Sequence, residues 1–160
     1  DKVLEKWENI KGKESGNPDW TSRLEKVPRA LPALTRAKKV QKKAADVGFD
    51  WDNVAPALDK VNEETSELRE AWNMGDREAM KEELGDLLFS VVNVARFLEV
   101  DPEEALTFTT DKFIRRFSHI EKEAMACGRQ MEDMSLEEMD ALWEQAKRKS
   151  ENAPEAGEII

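Results

Sequence analysis

The chain has 160 residues, enough for one domain with a buried core, and it carries a formal net charge of −10. Acidity on that scale argues against a binder of nucleic-acid polymers, and no apolar run approaches the length of a membrane span. A single cysteine, Cys127, excludes an internal disulfide framework and points to a reducing cytoplasm. Charged residues make up 38% of the chain, and Glu, Lys, Leu and Ala are prominent, so the expected fold is all-α, a helical bundle.

The first fourteen or so residues, through about Glu14, read as a short amphipathic helix. Its Trp7-Glu8-x-x-Lys11 is echoed by Trp143-Glu144-x-x-Lys147, so residues 1–20 are expected to be a remnant of a preceding, related domain or a linker. Glycine and prolines between Ser15 and Pro32 predict a loop. Pro32 suits the first position of a helix to about Val47, stopped by Gly48, with Leu34, Ala37, Val40, Gln41, Ala44 and Val47 on one face and Lys38, Lys39, Lys42 and Lys43 on the rest. After an aromatic loop, Gly48-Phe49-Asp50-Trp51, a helix from about Asn53 to Trp72 follows; Asn73 to Gly75 form a turn and Asp76 caps the next helix.

That next helix, Arg77 to about Leu98, becomes apolar almost all round after Asp86 (LLFSVVNVARFL), which predicts the centre of a bundle. Gly85 within it costs about 1 kcal/mol relative to alanine, a cost that a close helix crossing would explain. Asp101-Pro102-Glu103-Glu104 opens a helix to about Cys127, stopped by Gly128. Ser135-x-x-Glu138 is a capping box for a last helix to about Lys149, and 150–160 is expected to be a flexible tail.

The stretch that carries chemistry is Lys60 to Asp86. Glu63, Glu64 and Glu67 share one face of the first helix, as do Glu83 and Asp86 on the second, because residues three and four apart are neighbours. An antiparallel hairpin would bring these carboxylates to one depth. Two like charges at about 4 Å repel by roughly 4 kcal/mol at an effective dielectric of about 20, so such a cluster calls for water, protons or a cation. Adjacent apolar faces favour the cation. Oxygen-only donors suit Mg²⁺, with Mn²⁺ as a substitute. A di-iron bundle is excluded, since the sole histidine, His119, has Arg116 three residues before it instead of glutamate. Acidic helix residues are more often simply solvated, and two clusters on neighbouring helices shift the balance toward a site.

A second constellation is Lys112-Phe113-x-Arg115-Arg116-Phe117, in which Phe113 and Phe117 are expected to face the core and the three cations to fan to one side. In an acidic chain with a metal site, such cations fit a phosphate-bearing ligand. Of the tryptophans, Trp72 is expected in the core. Trp143 could pack or stack on a nucleobase, with packing favoured on the residues alone. Cys127, with no base nearby in sequence, reads as structural.

The run EExxE, a spacer, EELGDLLFSVVNVARFL and KFxRRF, with LPALTRAKKVQKKAADVGFDW before them, resembles the MazG-type nucleoside triphosphate pyrophosphohydrolases over roughly Leu31 to Lys149. The resemblance implies a domain at 21–149 with the all-α NTP pyrophosphatase fold, a homodimer, Mg²⁺ dependence, and hydrolysis of NTP to NMP and pyrophosphate by water attack on the α-phosphorus. Family members often carry two such domains in tandem, and this chain looks like the C-terminal one. By position, Glu64, Glu67, Glu83 and Asp86 match the metal ligands, and Glu63 matches the extra glutamate that positions water or a further metal. Lys60, Lys112, Arg115 and Arg116 match the phosphate contacts, and Trp143 an aromatic at the nucleotide. The family commonly has asparagine two residues before the KFxRRF lysine; this chain has Thr110. The rival reading is a non-catalytic helical interaction module with an acidic face.

Overall fold

Helix ends in this chain are set by short polar caps and left-handed glycines, and the caps define six α-helices in the computed structural model, which describes residues 19–151. These are α1 (Trp20–Glu25), α2 (Ala33–Ala45), α3 (Val54–Met74), α4 (Arg77–Phe97), α5 (Pro102–Ala126) and α6 (Leu136–Glu151), with a 3-10 turn at Met131–Asp133. There is no strand among the described residues, so the all-α expectation holds. The helix expected near the start of the chain, and nearly all of the tail, lie outside the described residues.

Asn53 accepts from the Ala55 N–H, and Asp76 accepts from Glu78 and Ala79, satisfying backbone donors that the first turn of a helix leaves free. Gly75 ends α3 at φ 71°, a left-handed conformation that costs glycine little. Ser135 and Glu138 form the reciprocal capping box that the sequence announces. The N-terminus of α2 is different. Pro32 supplies no side-chain cap, and Glu103 accepts instead from the Leu34 and Thr35 N–H groups, 3.1 and 3.4 Å away.

The chain divides into two units, one ending at Ala105 and the other beginning at Leu106, in the first turns of α5. In the first, α3 and α4 pack as a hairpin, α2 lies on α4, and α1 on α2. Val27, Ala57, Ala71 and Val92 are buried there, and the buried Gln41 amide donates to the Phe89 carbonyl at 2.8 Å. In the second, Ile120, Ala124 and Ala146 are buried, and Arg129 bridges to Glu138 at 2.6 Å.

Several expectations are corrected. The stretch from Ser15 to Pro32 is not all loop: Asp19 accepts from the Ser22 N–H and nucleates α1. The α4 sequence does not sit at a bundle centre, because Leu84, Leu88, Phe89 and Val91 are exposed; α2 and α3 cover only part of its surface. Among the described residues no close crossing explains Gly85, since a Cβ there would meet nothing within 4 Å. Trp72, at the last turn of α3, is 68% exposed, and Phe113 and Phe117 are exposed as well. Cys127, just past the end of α5, is exposed and not packed.

Candidate functional site

The hairpin brings the carboxylates of two helices together. One oxygen from each of Glu63, Glu64 and Glu67 can be chosen so that all lie within 4.8 Å of one another, and the same holds for Glu64, Glu83 and Asp86. Glu64 belongs to both groups. Its side chain is only 4% exposed, whereas Glu63 and Asp86 are exposed and Glu83 is half-buried. The Glu64 Oε2 is buried and has no hydrogen-bond partner among the described residues. A buried carboxylate oxygen left unpaired costs free energy on the order of 1–3 kcal/mol or more, so an acceptor of this kind at the meeting point of two acid groups fits a hard cation.

Lys60 stands one turn before the glutamates. Its Nζ bonds Glu63 Oε1 at 2.9 Å and also pairs with Glu64 Oε1. The Lys60 ammonium holds the Glu64 carboxyl below its ordinary range, against the opposing effect of burial. Glu67 moves the other way: the close approach of the Glu64 carboxylate, then burial and the charges of Glu83 and Glu63, push it up. Burial, then the charges of Glu64, Asp86 and Glu82, push Glu83 up too. The hairpin is an electrostatically strained acidic group with one resident ammonium.

The i,i+3 and i,i+4 spacing of Lys60 to Glu63 and Glu64 announces these ion pairs.

In the second unit, Phe113 stacks on Phe117 with ring centroids 6.1 Å apart and meets Trp143 at 5.1 Å. The Arg116 guanidinium lies over the Trp143 ring at 5.6 Å, and its Nε is buried without a hydrogen-bond partner among the described residues. Trp143 is therefore both packed and flanked by a cation. The Lys112 ammonium sits 5.7 Å from the Phe108 centroid, and Arg115 is exposed. Thr110 spends its hydroxyl on its own helix, donating to the Leu106 carbonyl at 2.9 Å.

An element that site-directed reading of the sequence overlooked is the anchor of the aromatic loop. Asp50 accepts from both terminal nitrogens of Arg96 on α4, which pins the loop carrying the exposed Phe49 and Trp51. Charge complementarity alone could not have selected this pair among the many in the chain.

No helix among the described residues is long and apolar enough to cross a membrane. Residues 53–121 match the MazG nucleotide pyrophosphohydrolase domain. The chain is 44% identical over 148 residues to the nucleoside triphosphate pyrophosphohydrolase of Escherichia coli, covering 91% of this chain and 56% of that protein. It is 43% identical over 141 residues to the nucleoside triphosphate pyrophosphohydrolase/pyrophosphatase MazG of Thermotoga maritima, covering 88% of this chain and 54% of that one. The uncharacterized protein YabN of Bacillus subtilis is 52% identical over 146 residues, which cover 91% of this chain and 30% of YabN. The chain thus spans about half the length of the first two relatives. With the matched segment running from the cap of α3 into α5 and containing every carboxylate of the hairpin site, residues 53–121 of the chain are identified as a MazG nucleotide pyrophosphohydrolase domain.

Proposed function

We propose that the chain hydrolyses nucleoside triphosphates to the monophosphate and pyrophosphate. The observation that carries this reading is the buried, unpaired Glu64 Oε2 at the junction of two carboxylate groups, within a segment matching the MazG domain. The nucleoside triphosphate pyrophosphohydrolases of Escherichia coli and Thermotoga maritima, to which the chain is similar, support the same chemistry.

In this reading Glu64, Glu67, Glu83 and Asp86 hold Mg²⁺, for which Mn²⁺ can substitute. The cation supplies charge neutralisation at the phosphoryl oxygens and at the departing pyrophosphate. Glu63, exposed beside Glu64, orients a water or accepts its proton. The water oxygen bonds to the α-phosphorus while the bond from that phosphorus to the oxygen bridging to the β-phosphate breaks. Lys60, Lys112, Arg115 and Arg116 take phosphate oxygens, and Trp143 stacks on the base. The exposed Leu84, Leu88 and Val91, at i, i+4 and i+7 on α4, form an apolar stripe suited to a second copy of the chain.

The deciding experiment is product analysis with ATP and dNTPs in the presence of Mg²⁺. Pyrophosphate and monophosphate are expected. Orthophosphate and diphosphate would overturn the reading, and a panel of nucleotides defines base preference.

A further inference from the structure

Three features of the hairpin meet at one residue. Lys60 contacts Glu63 and Glu64 together, it stands on the same helix one turn earlier, and it engages Oε1 of Glu64 while leaving the buried Oε2 unpaired. The ammonium is the only lysine or arginine group within 4.0 Å of these carboxylates among the described residues. A phosphate-binding lysine held in reserve would be expected to extend into solvent, free of the acids. Here it is committed to them.

We propose that Lys60 is the resident counter-cation of the metal-free site, which a divalent ion competes with and displaces from Glu63 and Glu64. This rests on the metal-binding reading above and deepens it. Five carboxylates in one hairpin repel one another, and a tethered ammonium offsets part of that repulsion without leaving the molecule. A divalent ion entering the same field does so more effectively, because it brings two charges and can use the vacant Glu64 oxygen. The two cations repel each other, so uptake of the metal loosens the hold on Lys60. The freed ammonium is then available to a triphosphate oxygen. The device links the two events in order: the metal arrives first, and the lysine is handed to the substrate second. By reciprocity, a ligand that draws Lys60 away favours the metal.

The test is Mn²⁺ binding to the full chain without nucleotide, followed by electron paramagnetic resonance of the free ion. Lys60→Met should bind Mn²⁺ roughly tenfold more tightly than wild type, as expected for removing one charge about 5 Å from a divalent ion in a water-like dielectric. Lys60→Arg should keep wild-type affinity. In the absence of metal Lys60→Met should melt at a lower temperature than wild type, and Mn²⁺ should raise its melting temperature by more. Lys60→Gln, which loses the same charge but keeps a polar end, guards against a folding defect in the methionine variant. Unchanged or weaker Mn²⁺ binding in both neutral variants overturns the inference: unchanged affinity leaves Lys60 as a phosphate contact alone, and weaker affinity makes it a support for Glu64. A wild-type chain that takes up no Mn²⁺ at millimolar concentration overturns the metal reading itself.

Discussion

Arg96, in the last turn of α4, grips Asp50 in the loop before α3 with both terminal guanidinium nitrogens, one of them at 2.8 Å, while its Nε is held by Asn93 at 2.9 Å. The Asp50 carboxyl lies below its usual range chiefly because of this hydrogen bonding to Arg96. The pair is neither fully buried nor free in water, with side chains 15% and 24% exposed. Asp50→Asn should therefore cost about 1 kcal/mol at neutral pH, between the exposed and buried limits for ion pairs. A depressed acid contributes stability above its unfolded value and loses it as pH falls. The difference between wild type and variant in urea denaturation should shrink below pH 3.8.

Glu83 has the opposite sign. Its carboxyl is pushed up by burial and by neighbouring acids, so its contribution is favourable below the unfolded value of 4.5 and is lost as pH rises through its folded value. Without metal at pH 7, Glu83→Gln should melt at a higher temperature than wild type, with the gap closing as the pH is lowered. The same variant should lose at least about a hundredfold in turnover, the scale of losing a group that acts on transition-state charge. Added Mg²⁺ should raise the melting temperature of wild type more than that of Glu83→Gln.

Glu138 is an acid of the structural kind. Arg129 and the Ser135 N–H hold it down at about 2. Its stabilising effect is complete above the unfolded value of 4.5 and fades toward pH 2, so wild type and Glu138→Gln should differ in melting temperature at pH 7 and converge near pH 2. Nucleotide turnover at pH 7 and moderate temperature should be unaltered by the substitution.

Among the described residues, nothing lies within 4 Å of the place a Cβ would take at Gly85. Gly85→Ala should raise stability by about 1 kcal/mol through helix propensity alone. Chemical denaturation measures it. A loss of stability would show that a neighbouring chain approaches the α4 backbone at this point.

Leu88 lies at the centre of the exposed α4 stripe and is 51% exposed. A homodimer through that stripe predicts that Leu88→Lys shifts the mass measured by light scattering from dimer to monomer. A wild-type chain that is monomeric at high concentration would remove the stripe from this role.

The caps were the most legible part of the chain. Asn53, Asp76, Asp101 and the Ser135–Glu138 box act over two or three residues, so their partners are written beside them. The convergence of Glu64, Glu83 and Asp86 was legible for a related reason: helical spacing fixes each face, and a short turn brings the two faces together. What escaped the sequence depends on long-range geometry. The Glu103 cap of α2 reaches across 69 positions, and the Arg96 grip on Asp50 across 46. Burial of the large apolar residues was misjudged because composition records how hydrophobic α4 is, not how much of it a single chain can cover. Trp72 failed for the same reason, standing largely exposed at a helix end.

Every acid of the proposed metal centre comes from one hairpin closed by the left-handed Gly75, within 24 consecutive residues from Glu63 to Asp86. Contacts of that short range form with little loop-closure entropy and need no distant part of the chain to define them. The relative placement of the five carboxylates is thus decided within one short segment, and substitutions elsewhere along the polypeptide leave their register to the hairpin alone.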